Sequence, residues 1–208
     1  MKRLFKTKIS SIKISALANA KPFENKLQKT ISHYNKVVIE LILTNKESKA
    51  KAKVEAICNL LLENDIGIDD LIKTAVASKE PNKANCIEAI EFATRSNPKI
   101  ANLNCLEYVT KTLLEKAPRT KWESAKVIGN IAHLFAAKLD NAINNLLINS
   151  EYTGTVVRWS AAFALGEIVK LKTKNNKYLI PAIESIIKRE EQSSIRKIYM
   201  AALKKVTA

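Results

Sequence analysis

The sequence predicts an all-α fold, an α-α superhelix (solenoid) of about five antiparallel helix pairs, and three observations carry that expectation. Glycine is scarce, four residues in 208 against five prolines, whereas a sheet protein of this size would need more of it for hairpins that require positive φ. Apolar stretches are separated by short polar links (Asn64-Asp65, Lys79-Glu80, Asn97-Pro98, Asn175-Asn176), and links this short make consecutive helices antiparallel neighbours. Third, the chain repeats itself.

The repeat is visible by self-comparison. Residues 120–131 align without a gap on 157–168, a shift of 37 residues. The frame continues 38 residues later at 195–206 and runs back 38 residues to 82–93. Each unit has a base at its second position (Lys83, Lys121, Arg158, Arg196) and a large aliphatic at its ninth (Ile90, Ile128, Leu165, Leu203). Small residues recur inside the units as Ala125, Ala161, Ala162, Gly129 and Gly166. A glycine in a helix interior costs about 1 kcal/mol relative to alanine, so Gly129 and Gly166 make sense only where a neighbouring helix comes close to the backbone.

Taken along the chain, the pattern predicts helices near 23–44, 47–63, 68–77, 82–95, 103–116, 119–137, 139–149, 154–172, 178–189 and 193–206. Pro22, Pro81, Pro98 and Pro118 fall where helices would begin, and a first-turn proline forfeits no needed donor. One domain over 1–208 is expected: a basic segment at 1–21, divergent repeats over 22–80 and recognisable repeats over 81–208. Met1 to Lys21 holds six bases and no acid, and Leu4, Phe5, Ile9 and Ile12 fall on one side if it is helical. Such a segment would cap the open end of the stack, or touch an anionic membrane or nucleic acid.

The run Val157-Arg158-x-x-Ala161-Ala162-x-Ala164-Leu165-Gly166-x-Ile168 resembles the second-helix signature of HEAT repeats. Residues 120–131 match it more loosely, and 82–93 and 195–206 keep the spacing and the base. The resemblance implies a scaffold whose second helices line a concave face that holds a protein or peptide, with no catalytic residues. It also implies an aspartate in the turn before each base, forming a ladder down the stack. Here the turns offer Glu115, Glu151 and Glu190 or Glu191 at irregular offsets, so a regular ladder is not expected.

Charge narrows the classes of partner. The net charge is +15. Residues 1–29 carry eight bases and one acid, 170–208 ten bases and three acids, and 30–169 seventeen bases and sixteen acids. The excess therefore sits at the two ends, where it either solubilises the chain or attracts nucleic acid or an acidic protein face. Cys58, Cys86 and Cys105 are odd in number and set among apolar neighbours. They are expected as buried reduced thiols in a cytoplasmic protein. With His33 and His133 as the only histidines, no zinc-site spacing exists, so neither metal nor cofactor is expected. No apolar run is long enough to span a bilayer.

The candidate binding residues are Trp122 and Trp159 with Lys121, Arg158, Arg196 and Lys83. The two tryptophans hold equivalent positions in adjacent repeats, where helix packing would place them roughly 10 Å apart. They could grip a peptide or stack nucleobases, or instead cover the seam between repeats. The basic line could meet carboxylates or phosphates, or pair with turn acids and hold the stack together. No phosphate loop, His-Glu-x-x-His or Gly-x-Ser-x-Gly is present, and no residue is nominated as catalytic. The enzyme alternative is a resemblance to HEAT-like alkylpurine DNA glycosylases, which imply a carboxylate one helical turn beyond a tryptophan. Lys126 and Phe163 stand there instead. The expected function is a non-catalytic protein-binding scaffold, and the alternative is nucleic-acid binding through the basic ends.

Overall fold

The computed structural model describes residues 24–207; the expectations for residues 1–21 lie outside them. Ten helices form five antiparallel pairs: α1 (24–44) with α2 (Ala50–Leu62), α3 (Ile68–Ala77) with α4 (Asn82–Ser96), α5 (Leu103–Thr112) with α6 (Pro118–Ile131), α7 (Asp140–Asn149) with α8 (Thr155–Val169), and α9 (Asn176–Arg189) with α10 (Ser193–Thr207). No strand occurs among the described residues. The all-α solenoid expected from the sequence is the observed fold.

Local chemistry sets the helix boundaries. Asn64 adopts a left-handed φ of 62° just past α2, a conformation asparagine tolerates better than most residues. The Asn102 side chain accepts the Cys105 N–H at 2.9 Å to open α5, and Pro118 is the first residue of α6. Helix α5 begins at Leu103 as expected, but Pro98 opens only a separate 3₁₀ turn, Pro98–Ile100, ahead of it, and α5 ends at Thr112, short of the expected 116. Likewise α6 stops at Ile131 and yields to two 3₁₀ turns, Ala132–Leu134 and Ala136–Lys138. Those turns redirect the chain so that Leu139, fully buried, enters the core at the head of α7.

The even-numbered helices form one row, α2–α4–α6–α8–α10, in which each packs extensively on the next. The odd-numbered helices form a second row whose members touch more sparsely. A row packed more closely than its partner is the inner row of a curved stack. Between the rows runs one apolar core that includes Ile57, Leu71, Ile87, Ile128, Ile143, Leu165 and Ile183, each essentially inaccessible to water. The first pair is tied in by polar contacts as well. Buried Asp70 of α3 accepts bonds from Ser32 and from Asn35 Nδ2 (2.8 Å) of α1.

Candidate functional site

Helices α4, α6 and α8 are each flanked by even neighbours and backed by odd ones, so a single stripe of each remains open to solvent; α10, flanked in its row by α8 alone, is exposed on its outer side as well, for example at Met200. With residues 82, 120, 157 and 195 as position 1, that stripe passes through positions 3, 7 and 11. On α6 these are Trp122, Lys126 and Asn130; on α8, Trp159, Phe163 and Glu167; on α10, Lys197, Ala201 and Lys205. On α4 the stripe shifts slightly and carries Glu88, Phe92 and Arg95.

The two glycines explain how the stripe is set. The Phe163 ring lies directly on the backbone of Gly129, and a methyl group there would stand 2.8 Å from Phe163 Cδ1. Gly166 in turn faces α10, where a methyl group would meet Ala202 Cβ at 3.3 Å. Neither glycine faces open water. Seated on Gly129, Phe163 stacks parallel to Trp159, with ring centroids 6.2 Å apart and planes 7° off parallel. Trp159 is 40% exposed. Trp122 is half-buried, its indole N–H donating to Glu123 Oε1 at 2.6 Å.

The α4–α6 part of the stripe is charged but internally matched. Lys126 Nζ lies 2.9 Å from Glu123 and 3.3 Å from Glu91, both buried carboxylates. Arg119 pairs with Glu88, and Arg95 lies near Glu91 with its guanidinium 4.8 Å over the Phe92 ring. Burial pushes the Glu123 carboxyl up from its ordinary range, against the ionised-form bonds from Lys126 and Trp122. Burial alone would lower the Lys126 ammonium, but the two carboxylates outweigh it and hold it high. Glu123 is the carboxylate nearest a tryptophan, and its two oxygens are engaged by Trp122 and Lys126. It is not presented to the open face.

The α8–α10 part is different. A cleft of about 180 Å³ lies between the helices, floored by Gly166, Ala201 and Ala202 and walled by Phe163 and Ile198. Lys170 and Lys205 stand at its rim. Glu167 pairs with Lys170, and Lys197 and Lys205 are exposed, with no carboxylate bridged to either among the described residues.

The predicted basic line goes elsewhere. Lys83 Nζ reaches Glu115 at 3.0 Å. Lys121 is buried and donates to the Leu113 carbonyl (2.9 Å) and Asn149 Oδ1 (3.3 Å), with the Tyr152 ring 5.4 Å away. Arg158 grips Glu190 with two bonds, 2.9 and 3.3 Å, and also the Tyr152 and Thr153 carbonyls. Arg196 donates to the Glu190 carbonyl at 3.1 Å. Three of the four therefore tie one repeat to the far end of the next repeat's first helix, and all four are used in the turns. The rungs are irregular, as expected: Lys83 and Arg158 meet Glu115 and Glu190, each 32 residues on, whereas Lys121 meets Asn149, 28 residues on, and Glu151 goes to Arg189. Burial lowers the Lys121 ammonium, which has only neutral acceptors. At Glu190 burial would raise the carboxyl, but Arg158 and the Gln192 N–H hold it below its ordinary range.

Sequence reasoning missed Phe163, Lys197, Lys170 and Lys205. Columns 3, 7 and 11 of the self-alignment contained three of them, but that reasoning followed the base in column 2.

The two rows and the single open stripe define an α-solenoid repeat protein. No family profile matches the chain, and no curated protein sequence is similar to it. Solved structures are similar in fold. A computationally designed armadillo repeat protein for modular peptide recognition superposes with a TM-score of 0.64 at 20% identity, over 82% of this chain and 81% of that one. A designed armadillo repeat protein in complex with the peptide (KR)4 gives 0.60 at 18%, over 88% and 86%. An engineered protein gives 0.64 at 17% over 84% of this chain, which spans about half of that one, 48%. A Kap121p mutant gives 0.60 at 12%, over 87% of this chain and 22% of its own length. No helix among the described residues is long and apolar enough to cross a membrane.

Proposed function

We propose that this chain is a non-catalytic scaffold that binds another protein, in extended or peptide form, along the open stripe of α4, α6, α8 and α10. The observation that carries it is the aromatic pair Trp159–Phe163. A tryptophan left 40% exposed and stacked on a ring whose seat is a bare glycine backbone is a rigid apolar platform. Interfaces favour such side chains as anchors. Helical-repeat proteins of similar fold, one designed for peptide recognition and one bound to a peptide, support the same use of the stripe. Trp159 is thus the residue assigned to binding, and Trp122 flanks it on the next helix.

Nucleic acid is the second reading, favoured by the basic α10. Against it, the acids and bases on α4 and α6 neutralise one another. A positive track for a phosphate backbone would be interrupted there. The test is affinity capture with the wild type and Trp159→Ala, followed by identification of the bound species. Recovery of a defined protein that is lost with Trp159→Ala is expected. Capture of nucleic acid alone, or of a protein indifferent to Trp159, would overturn the proposal.

A further inference from the structure

Resting on that proposed scaffold role, we infer that the α8–α10 end of the stripe selects an acidic peptide segment carrying one large apolar residue. Shape supplies half of the argument. The cleft floored by Gly166, Ala201 and Ala202 and walled by Phe163 and Ile198 is about 180 Å³, of the size of one large side chain. Its walls are apolar, and the Trp159–Phe163 stack continues them along α8. An aliphatic or aromatic side chain placed there would lie against Phe163 and Ile198.

Charge supplies the other half. Columns 3 and 11 of the aligned units read Trp122, Trp159, Lys197 and Asn130, Glu167, Lys205 along α6, α8 and α10. The stripe thus becomes basic as it approaches its last helix. Lys170 and Lys205 line the cleft with one acid, Glu167, which is paired with Lys170, and exposed Lys197 lies one helical turn before Ala201 on α10. On α4 and α6 every base of the stripe has a carboxylate beside it; at Lys197 and Lys205 the carboxylates are the ones a ligand would bring. Such complementarity chiefly sets specificity and the rate of encounter. The sign is opposite to what the basic (KR)4 peptide of the designed armadillo complex would require.

The spacing limits the motif. Neighbouring helices lie roughly 10 Å apart, and an extended chain advances about 3.3 Å per residue. A peptide crossing the even row therefore moves about three residues per helix. With its apolar residue in the cleft, acidic residues within about three positions on either side reach Lys170, Lys197 and Lys205.

The test uses fluorescence anisotropy with a labelled octapeptide, Asp-Glu-Asp-Phe-Glu-Asp-Glu-Asp. Comparison ligands are the same peptide with alanine for the phenylalanine, (KR)4 and a twelve-residue oligothymidylate. The acidic phenylalanine peptide is expected to bind at least tenfold tighter than each of the other three. The double substitution Lys197→Glu and Lys205→Glu, both exposed and outside the core, should weaken it at least tenfold while leaving the helical circular dichroism and Tm intact. No binding of the acidic peptide, equal binding of any comparison ligand, or indifference to the double substitution overturns the inference. The proposed scaffold role fails separately. A captured protein lost with Trp159→Ala but unaffected by Lys197→Glu and Lys205→Glu would leave that role standing and remove the acidic specificity alone.

Discussion

Phe163 of α8 rests on the backbone of Gly129 of α6, in the register at which Lys126 of α6 meets Glu91 of α4. Position 7 of one unit meets position 10 of the preceding unit in both cases. One interface solves this meeting point with an ion pair, the next with an aromatic ring on bare backbone.

The two glycines should therefore respond differently to alanine. Alanine is better than glycine in a helix by about 1 kcal/mol, but overpacking costs about 1–3 kcal/mol. At Gly129 the new methyl group collides with the Phe163 ring, and at Gly166 it comes only slightly close to Ala202. Gly129→Ala is expected to lower the Tm and to disturb the near-ultraviolet circular dichroism of the Trp159–Phe163 stack. Gly166→Ala should melt at a higher temperature than Gly129→Ala. Thermal melts of the two variants decide it, and the opposite order would contradict the packing described.

Lys126→Ala would leave Glu91 and Glu123, both buried, with their shared cation removed. Breaking such a pair from one side costs about 3 kcal/mol or more. The loss should shrink as pH falls. Burial already holds the Glu123 carboxyl above its ordinary range, and Lys126 is the main group opposing that, so the penalty at Glu123 is present at neutral pH and disappears as it protonates. Urea melts at neutral pH and at roughly pH 4.5 would show the gap narrowing; a constant gap would refute the role given to Lys126.

The Arg158–Glu190 rung has the opposite sign. Glu190 is held below its ordinary range, so its contribution is complete above that range and is lost as pH falls through its folded value. Arg158→Ala should cost about 3 kcal/mol at neutral pH, near the lower end for a largely buried pair, and the wild type should lose this advantage in acid. Denaturant midpoints measured across the acid range would test both statements.

The three thiols should be silent. Burial pushes Cys86 and Cys105 up to about 12 and raises Cys58 as well, and the thiolate is the reactive form. Ellman's reagent is expected to label none of them in the native protein and all three in denaturant. Rapid labelling of the folded chain would contradict the core described.

The two indoles should be distinguishable in solution. Trp159 is exposed near the basic end, while Trp122 is half-buried and bonded to Glu123. Iodide should quench the tryptophan fluorescence of Trp122→Phe more strongly than that of Trp159→Phe. Stern–Volmer slopes in the reverse order would count against the open stripe as drawn.

What the sequence determined by itself was the row of even helices and the seam between them. Helix-period apolar residues, short polar links and small residues recurring at 37 or 38 positions act locally or between adjacent repeats, so a linear pattern records them. Gly129 and Gly166 announced close approach and have it. Only the tertiary structure decided where the long side chains go. Lys121 finds Asn149 at a separation of 28 residues, and Glu151, a carboxylate the turn offers, goes to Arg189. Lysine and arginine have long flexible stems that reach many positions. Their partners are therefore chosen by which acceptors the packed turns leave within reach, and the same choice turned the basic line into a brace and left Trp159, Phe163, Lys197 and Lys205 on the open face.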